Sequence, residues 1–447
     1  MLSAKDNQFL SQVGAGTPMG DWLRRFWTPL LLSDELPEPD GEPKELRMLG
    51  ETLVAFRDSA GKVGVLQALC PHRQAPLVYA RNEQNGLRCV YHGWHFDVQG
   101  RCLDMPNEPA DSAFKEKVRA GSYPVAEAAG IIWVYMGPSN LKPELPDMEW
   151  MRVPDGYRNA SRFNMEGNWV QALEGDVDSS HVGFLHGNLR RSSDPPPTAP
   201  PAPDWDAEQG IWPSRPGFYG RLDGYYTAVD LAPRWIVQPQ PFGLMIAARR
   251  NADPGRYYWR INQVMLPYYT LVAGSLDQNS FFMHLWVPTD DVHTDVWTVV
   301  WRTRRPMNAE ERDAMFHGPY AHVASYEPAT HTLRGNHRNR FFQDRQVQKT
   351  ETFSGLSGIR EQDAAMTVGM GPVVDRTKEH LGTADAAVIA TRRILMKAAK
   401  ALQAGEEPYA ATHGACYRDR AWAGVLPRND DFLNDPEAKR MMVSEVP

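Results

Sequence analysis

The chain has 447 residues, a formal net charge of −7 and four cysteines. This length predicts about two or three domains with an ample core, and the acidic balance argues against general nucleic-acid binding. So few cysteines exclude a disulfide scaffold and fit a reducing, cytoplasmic compartment. The amino-terminal residues lack a cationic start followed by an apolar run, and no stretch of about eighteen apolar residues occurs. We therefore expect neither a signal peptide nor a membrane span.

The first part of the chain predicts a helical segment followed by a small β domain. Residues 1–40 predict a helix that ends near Pro29 and packs on the larger domain, because Asp21–Trp27 is amphipathic. Residues 41–138 consist of short alternating runs separated by turn signals, which is typical of an all-β domain. The clearest predicted strands are Leu53–Arg57, Val63–Gln67 and Ile131–Tyr135, with turns at Ser59–Gly61 and Gln99–Gly100.

The rest of the chain predicts a linker and a larger mixed domain. Residues 139–150 carry prolines and acidic residues and predict the linker, and residues 151–447 mix strands with helices. A proline-rich segment, 192–205, predicts irregular structure. The remaining predicted elements are strand-rich stretches at 229–250, 257–267 and 281–301, and amphipathic helices at 308–318 and 384–404.

Two Cys-His pairs are the most informative motif. Cys70-Pro-His72 and Cys89-Val-Tyr-His92 supply two thiolates and two imidazoles. A Rieske [2Fe–2S] cluster needs this set, with cysteines on one iron and histidines on the other. A structural zinc site is the rival interpretation, although zinc motifs usually pair Cys with Cys and His with His.

Nearby aromatic residues could shield the sulfur atoms of such a cluster. Trp94 and Tyr91 lie within the second motif, and shielding of this kind tunes a cluster's potential. Cys102 and Cys416 have no matching partner, and we expect both to be ordinary core residues.

A second candidate metal site follows the predicted linker. Asp178, His181 and His186 form a D-x-x-H-x-x-x-x-H pattern. Asp178 and His181 are three residues apart, so on a helix they would share a face. His186 could converge with them if the helix ends or loosens near Gly183. Two histidines and a distant carboxylate form the facial triad of non-haem Fe(II) oxygenases. The alternative is a polar helix face with solvated histidines.

Together these motifs resemble those of the Rieske non-haem iron ring-hydroxylating oxygenases, and in particular the oxygenase component of the phthalate dioxygenase group. The resemblance is carried by Cys70–Arg73, Cys89–Trp94 and Asp178–His186, and it extends from Gly16–Gly20 to Asp375–Gly382. It implies an α+β protein, with an amino-terminal all-β Rieske domain and a carboxy-terminal catalytic domain whose twisted antiparallel sheet is flanked by helices.

The resemblance also implies roles for two aspartates. The third iron ligand is expected on a helix, at an Asp that follows acidic or amide residues, and Asp363 matches this pattern. Glu361 and Asp344 are the alternatives for this ligand, and a solvated helix acid is the alternative role for Asp363. Asp178 resembles the carboxylate that bridges a Rieske histidine of one subunit to an iron-ligating histidine of the next. That role implies a homotrimer or a stacked hexamer. A simple helix cap is the alternative for Asp178.

The implied function is hydroxylation, through cis-dihydroxylation, of an aromatic carboxylate such as a phthalate or benzoate. The chemistry uses O₂, a Rieske [2Fe–2S] cluster and mononuclear Fe(II). Electrons come from NADH through a separate flavin iron–sulfur reductase, because no G-x-G-x-x-G nucleotide site opens a helix here. One alternative is a monooxygenase or O-demethylase. The other is a Rieske electron carrier, which would give no reason for His181 and His186.

Substrate and partner contacts are suggested by charged side chains. A substrate carboxylate needs a bidentate arginine, and Arg249 or Arg250 at the end of a predicted strand could supply it, with Ser179 as a hydrogen-bond donor. Adjacent strand residues face opposite sides, so only one of the two arginines can face a pocket. Surface arginines and a structural serine are the alternative. The reductase is expected to dock near Arg73, Lys115 and Lys117, unless these are ordinary solvated cations.

Overall fold

The chain divides into two compact units in the computed structural model. The smaller unit is Gln12–Leu145, and the larger is Met1–Ser11 with Pro146–Pro447. None of the helices in the described part of the chain has the length and apolar character that a membrane crossing requires. The predicted irregular segment 192–205 lies outside the described residues. The structure describes residues 2–109, 111–189, 221–273, 280–318 and 321–446.

The smaller unit is made of short antiparallel strands, which confirms the predicted all-β domain. Helix α1 (Ala4–Ser11) belongs to the larger unit and α2 (Pro18–Leu23) to the smaller. The strands of the smaller unit are β1 (Trp27–Leu32), β2 (Lys44–Met48), β3 (Glu51–Arg57), β4 (Val63–Gln67), β5 (Arg81–Glu83), β6 (Gly86–Arg88), β7 (His95–Asp97), β8 (Cys102–Asp104), β9 (Val125–Ala128) and β10 (Ile131–Tyr135). They form three sheets, in the orders β1-β10-β9, β2-β3-β4 and β5-β6-β7-β8.

The predicted segment 1–40 is divided differently in the structure. The helix ends at Leu23, and Pro29 lies inside strand β1 rather than at a helix end. The apolar run of β1 pairs with β10, and the register shifts between Pro29 and Leu31. Proline lacks the N–H that a regular ladder needs, which accounts for an irregularity at this point. Residues 12–40 therefore group with the smaller unit, and only the first eleven residues join the larger one.

The larger unit is built on one sheet with helices beside it. The described strands are β11 (Arg158–Glu166), β12 (Arg234–Gln240), β13 (Gly243–Asn251), β14 (Arg256–Met265), β15 (Tyr269–Leu271), β16 (Ser280–Pro288), β17 (His293–Arg302), β18 (Tyr326–Glu327), β19 (Thr332–Leu333) and β20 (Trp422–Pro427). The strand order is β12-β13-β14-β15-β16-β17-β11-β19-β18, and β20 pairs with β14. All pairs are antiparallel except β11 with β19.

The helices of the larger unit complete the α+β architecture. They are α3 (Glu149–Arg152), α4 (Trp169–Val177), α5 (Arg221–Val229), α6 (Ala309–Ala314), α7 (Arg345–Thr350), α8 (Ile359–Gly369), α9 (Ala386–Gln403), α10 (Tyr409–Thr412) and α11 (Pro436–Met441). Helix α3 begins inside the predicted linker, and its residues Glu149 and Trp150 are buried. Helix α4 contacts α8 as well as β15 and β16, so these four elements surround one region of the unit.

A tight turn in the smaller unit generates a stability prediction. Gly61 and Gly100 both have positive φ angles, of 80° and 73°. A Cβ at residue 100 would lie 2.1 Å from the carbonyl oxygen of Ala120, whereas a Cβ at residue 61 would meet nothing within 4 Å. Both Gly→Ala variants should lose about 1–2 kcal/mol from the left-handed conformation alone. Gly100→Ala should lose more, which thermal unfolding followed by near-ultraviolet circular dichroism would measure. Equal losses would contradict the predicted clash.

Candidate metal centres

Two loops of the smaller unit share one backbone pattern. The N–H of Gln74 donates to the carbonyl of Cys70 at 2.9 Å, and the N–H of Gly93 donates to that of Cys89 at 2.8 Å. Gln74 and Gly93 are both in the left-handed region, with φ of 59° and 77°. The N–H of Cys70 donates to the carbonyl of Ala75, and the N–H of Cys89 donates to the carbonyl of Trp94, both at 2.8 Å. The two motifs therefore share one backbone turn, although the histidine is two residues after the cysteine in the first loop and three after it in the second.

The four side chains of these loops form a suitable ligand set for a cluster. Cys70 and Cys89 are buried and unpaired by any disulfide, and the rings of His72 and His92 lie 4.4 Å apart between centroids. Nδ1 of His72 is buried and has no hydrogen-bond partner among the described residues. Burial, with a smaller contribution from Cys89, raises the pKa of Cys70 to about 11. The protein alone does not stabilise the thiolate, so a bound metal would have to do so.

Trp94 is the more buried of the two aromatic residues that contact the histidines of these loops. The Trp94 ring stacks on His72 at 4.3 Å, and its N–H donates to Oδ1 of Asn107 at 2.8 Å. Tyr91 contacts the His92 ring but is 54% exposed, so it covers less of these loops than the buried Trp94 does. Cys102 is partly buried against the same core, as expected of an ordinary core residue.

The second motif lies in the larger unit, at the end of a helix instead of along it. Helix α4 ends at Val177, and Asp178 is extended, with φ −84° and ψ 106°. His181 begins a 3₁₀ turn that ends at Gly183. The expectation that Asp178 and His181 share a helix face is therefore wrong. They still meet, because Asp178 accepts from the Ser180 N–H at 2.7 Å and its Oδ2 lies 3.5 Å from Nδ1 of His181.

His181, His186 and Asp363 converge on one point. Nε2 of His186 lies 3.1 Å from Nε2 of His181 and 3.1 Å from Oδ1 of Asp363. Nε2 of His181 lies 3.7 Å from the same oxygen. Burial alone would raise the pKa of Asp363, but His186 and Arg360 outweigh it and lower that pKa. Two imidazoles and an ionised carboxylate at such distances could hold a divalent metal ion.

The two alternative carboxylates have other structural roles. Oε2 of Glu361 accepts from the backbone N–H of Ser325 at 3.0 Å, and burial raises the pKa of Glu361. Asp344 caps α7 by accepting from the N–H groups of Gln346 and Val347. Neither carboxylate belongs to the group around His181 and His186 in the described part of the chain.

Gln362 is a residue that the sequence analysis did not identify. Its Oε1 lies 2.5 Å from Nδ1 of His186, and its amide nitrogen donates to the carbonyl of Leu356 at 2.8 Å. The bond to Leu356 orients the amide so that its oxygen faces His186. Because that oxygen can only accept, Nδ1 of His186 carries the proton and Nε2 keeps its lone pair for a metal. The sequence signal that could have identified Gln362 was its position directly before Asp363, the candidate iron ligand.

The candidate substrate residues separate as strand alternation predicts. Arg250 is 1% exposed and donates to the carbonyl and the hydroxyl of Ser179 at 2.6 and 3.2 Å. Arg249 faces the other side and lies over the Tyr257 ring at 4.3 Å. Arg250 therefore anchors the backbone that precedes His181, and Arg249 lies apart from that backbone.

Arg260, on β14, is a buried cation that the sequence analysis also missed. It is 4% exposed, and it donates to the carbonyl of Ala273 at 3.2 Å and towards the Ser179 hydroxyl at 3.4 Å. No carboxylate of the described residues forms an ion pair with it. Burial and the charge of Arg260 lower the pKa of His181, but Asp178 and Asp363 outweigh them and raise it. A buried guanidinium without an anion is costly, so this position favours binding of an anionic ligand.

Family comparisons cover both units. Residues 26–124 match the family described as the Rieske [2Fe-2S] domain, and residues 134–444 match the LigXa C-terminal domain like family. The 3-chlorobenzoate-3,4-dioxygenase oxygenase subunit of Comamonas testosteroni is 36% identical over 90% of this chain and 90% of its own length. The phthalate 4,5-dioxygenase oxygenase subunit of Pseudomonas putida is 38% identical over 91% of this chain and 88% of its own.

A solved structure shares the fold. Dicamba monooxygenase bound to dicamba superposes with a TM-score of 0.55, over 86% of this chain and 100% of the other, at 16% sequence identity. Identity this low extends the comparison to the architecture alone.

The contact between Gln362 and His186 generates a prediction on metal affinity. Gln362→Leu should weaken Fe(II) binding by about 10–100-fold, because His186 loses the acceptor that fixes its tautomer. Titration of metal-free protein with Fe(II) against a competing chelator would measure this. Gln171→Leu is the matched control, since Gln171 is equally buried and bonds to the backbone of Thr367 and Gly371 on and beyond α8. Unchanged affinity in the Gln362 variant would remove Gln362 from the site.

Proposed function

The chain belongs to the Rieske non-haem iron oxygenases, and from this premise we propose that it hydroxylates an aromatic carboxylate with O₂. The observation that carries the proposal is the presence of two separate donor sets on one chain. The smaller unit presents two thiols and two imidazoles, and the larger presents two imidazoles and a carboxylate. An electron carrier would need only the first set, so the second favours an enzyme.

Each donor set is assigned to one cofactor. Cys70, His72, Cys89 and His92 would hold the [2Fe–2S] cluster, for which the unpartnered Nδ1 of His72 is the clearest support. His181, His186 and Asp363 would hold the mononuclear Fe(II). Bound iron supplies the one-electron chemistry with dioxygen, and three protein ligands leave positions open beside it.

The protein contributes orientation and exclusion of water. Asp178 accepts at Nδ1 of His181 and Gln362 at Nδ1 of His186, so both Nε2 atoms face the shared point. One acceptor is an anion and the other a neutral amide, which makes His181 the more basic ligand. The buried Trp94 would exclude water from the face of His72 on which it stacks.

Asp178 is also proposed to couple two subunits. Its side chain is 27% exposed beside His181, so one carboxylate can contact a further donor. We assign that donor to His92 of a neighbouring copy, in a head-to-tail trimer or a stacked pair of trimers. Asp178→Asn should then keep both metals while slowing cluster oxidation. Stopped-flow absorbance with substrate and oxygen would measure the rate, and an unchanged rate would exclude Asp178 from electron transfer.

The proposed substrate anchor is Arg260 together with Ser179. The relatives named above act by their names on a chlorobenzoate and a phthalate, both of which carry a carboxylate. Arg260 provides a buried cation without an anionic partner among the described residues, within reach of the hydroxyl beside the iron motif. This assignment replaces Arg249 and leaves Arg250 as the support of Ser179.

Exchange of Arg260 tests the anchor. Arg260→Gln should raise KM for an aromatic carboxylate by about 10–100-fold, which corresponds to a lost charged hydrogen bond of about 1.5–3 kcal/mol. Arg249→Gln is the control, because Arg249 lies over Tyr257 on the opposite face of its strand. An equal KM in both variants would contradict the role of Arg260.

Electron supply is proposed to come from a separate flavin iron–sulfur reductase that uses NADH, in the cytoplasm. The relatives named above are oxygenase subunits by name, which supports a separate component that supplies the electrons. Arg73, Lys115 and Lys117 are exposed, and Arg73 lies over the Tyr91 ring at 5.5 Å, next to the cluster loops. Positive charge here would attract an acidic reductase and make reduction salt-sensitive.

The reaction itself is tested with a panel of substrates and a surrogate reductase. Oxygen uptake with phthalate isomers, benzoates and methoxybenzoates should show turnover on a simple aromatic carboxylate, with both atoms of labelled O₂ in a diol product. Release of formaldehyde from a methoxybenzoate alone would favour an O-demethylase. Reduction of the purified chain by NADH without a reductase would contradict the assigned electron path.

A further inference from the structure

A buried row of polar side chains connects Asp363 to helix α4. Arg360, one turn before Asp363 on α8, is 2% exposed, and its Nη1 lies 3.2 Å from Oδ2 of Asp363. The other oxygen, Oδ1, is the one that faces Nε2 of His186 and His181, at 3.1 and 3.7 Å. The two carboxylate oxygens thus have separate partners, a guanidinium on one side and the imidazoles on the other.

Arg360 is itself held in place by neighbours on β16 and α4. Its Nη2 lies 2.7 Å from Nε2 of His284, and Nδ1 of His284 lies 2.6 Å from Oδ2 of Asp176. A guanidinium can only donate, so Nε2 of His284 accepts and Nδ1 donates to Asp176. The Thr270 hydroxyl donates to the same Asp176 oxygen at 2.6 Å, and Arg360 lies over the Trp286 ring at 5.0 Å.

The charges in this row are consistent with that assignment. Burial and the neighbouring Arg360 lower the pKa of His284, which keeps its ring neutral. Burial would raise the pKa of Asp176, but the charge of Arg360 and the hydrogen bonds from His284 and Thr270 lower it, so Asp176 is ionised. One guanidinium therefore lies between two carboxylates, Asp176 and Asp363, and a neutral imidazole orients it.

We propose that Arg360 is a positioning residue that restricts Asp363 to one metal-facing oxygen. The guanidinium at Oδ2 would favour binding of the iron through Oδ1 alone, which would leave open to a small ligand a position that a bidentate carboxylate would occupy. The inference rests on the proposed iron ligands. It adds a reason for the conformation of Asp363, which the ligand set alone does not explain.

The alternative is that Arg360 and Asp363 form an ion pair that only stabilises the fold. Arg420 provides a matched control for this alternative, because it is 1% exposed, bonds to Glu149 at 2.5 and 2.8 Å and lies over the Phe281 ring at 4.4 Å. It thus resembles Arg360 in burial, carboxylate partner and aromatic contact. It bonds to none of the proposed iron ligands.

Nitric oxide binding to the ferrous site distinguishes the two explanations. Arg360→Gln, Arg360→Lys and Arg420→Gln would be prepared with measured iron and sulfide contents. The nitric oxide dissociation constant and the electron paramagnetic resonance signal of the ferrous–nitrosyl complex would then be recorded. We expect Arg360→Gln to keep its cluster signal and weaken nitric oxide binding by about tenfold or more, as orienting contacts commonly do. Arg360→Lys should restore much of the affinity, and Arg420→Gln should match the wild type.

Each other outcome has a defined meaning. A wild-type nitrosyl signal and affinity in Arg360→Gln would overturn the inference, and so would an equal loss in Arg420→Gln. If Arg360→Gln does not fold, His284→Gln decides, because it removes the orienting imidazole but keeps the guanidinium; an unchanged nitrosyl complex there would also overturn it. Wild-type protein that binds no mononuclear iron would instead contradict the proposed function.

Discussion

The packing of α4 against α8 brings together the candidate metal ligands of the larger unit. The loop that leaves α4 carries Asp178, His181 and His186, and α8 carries Arg360, Gln362 and Asp363. The two segments are far apart in sequence, yet Nε2 of His186 lies 3.1 Å from Oδ1 of Asp363. Two imidazole lone pairs and a carboxylate that point at one another would be unfavourable without a nearby cation. The cation of Arg360 lies behind the carboxylate, and a metal ion bound at the proposed site would make this arrangement favourable.

The smaller unit carries its two Cys-His pairs on two loops with the same backbone turn. Both loops start at a cysteine that packs on the core and turn back after the histidine through a left-handed residue, glycine in one loop and glutamine in the other. The cysteines pack with core residues such as Val54, Leu66 and Phe96, so the sulfur side is dry, and the exposed residues lie on the histidine side. An arrangement with sulfur inside and imidazole outside suits a cluster that must exchange electrons at its histidine end.

The sequence predicted what short-range patterns determine. Alternating apolar runs located β3, β4 and β10, and ligand spacing located both histidine motifs. It failed where tertiary packing decides the conformation. Pro29 looked like a helix end but lies in a strand, since β10 supplies a partner that local propensity does not encode. Asp178 and His181 looked helical, but α4 ends before them. Gln362, Arg360 and Arg260 acquire their roles only from contacts with distant residues, which a single sequence does not display.

Metal stoichiometry tests the central claim most directly. Wild-type protein should hold about three irons and two acid-labile sulfides per chain, two irons in the cluster and one at the histidine–carboxylate site. Asp363→Ala should lose one iron and keep the sulfide and the Rieske electron paramagnetic resonance signal, because the two sites are separate. Loss of all iron together, or full retention of iron in Asp363→Ala, would contradict the account of two independent metal centres.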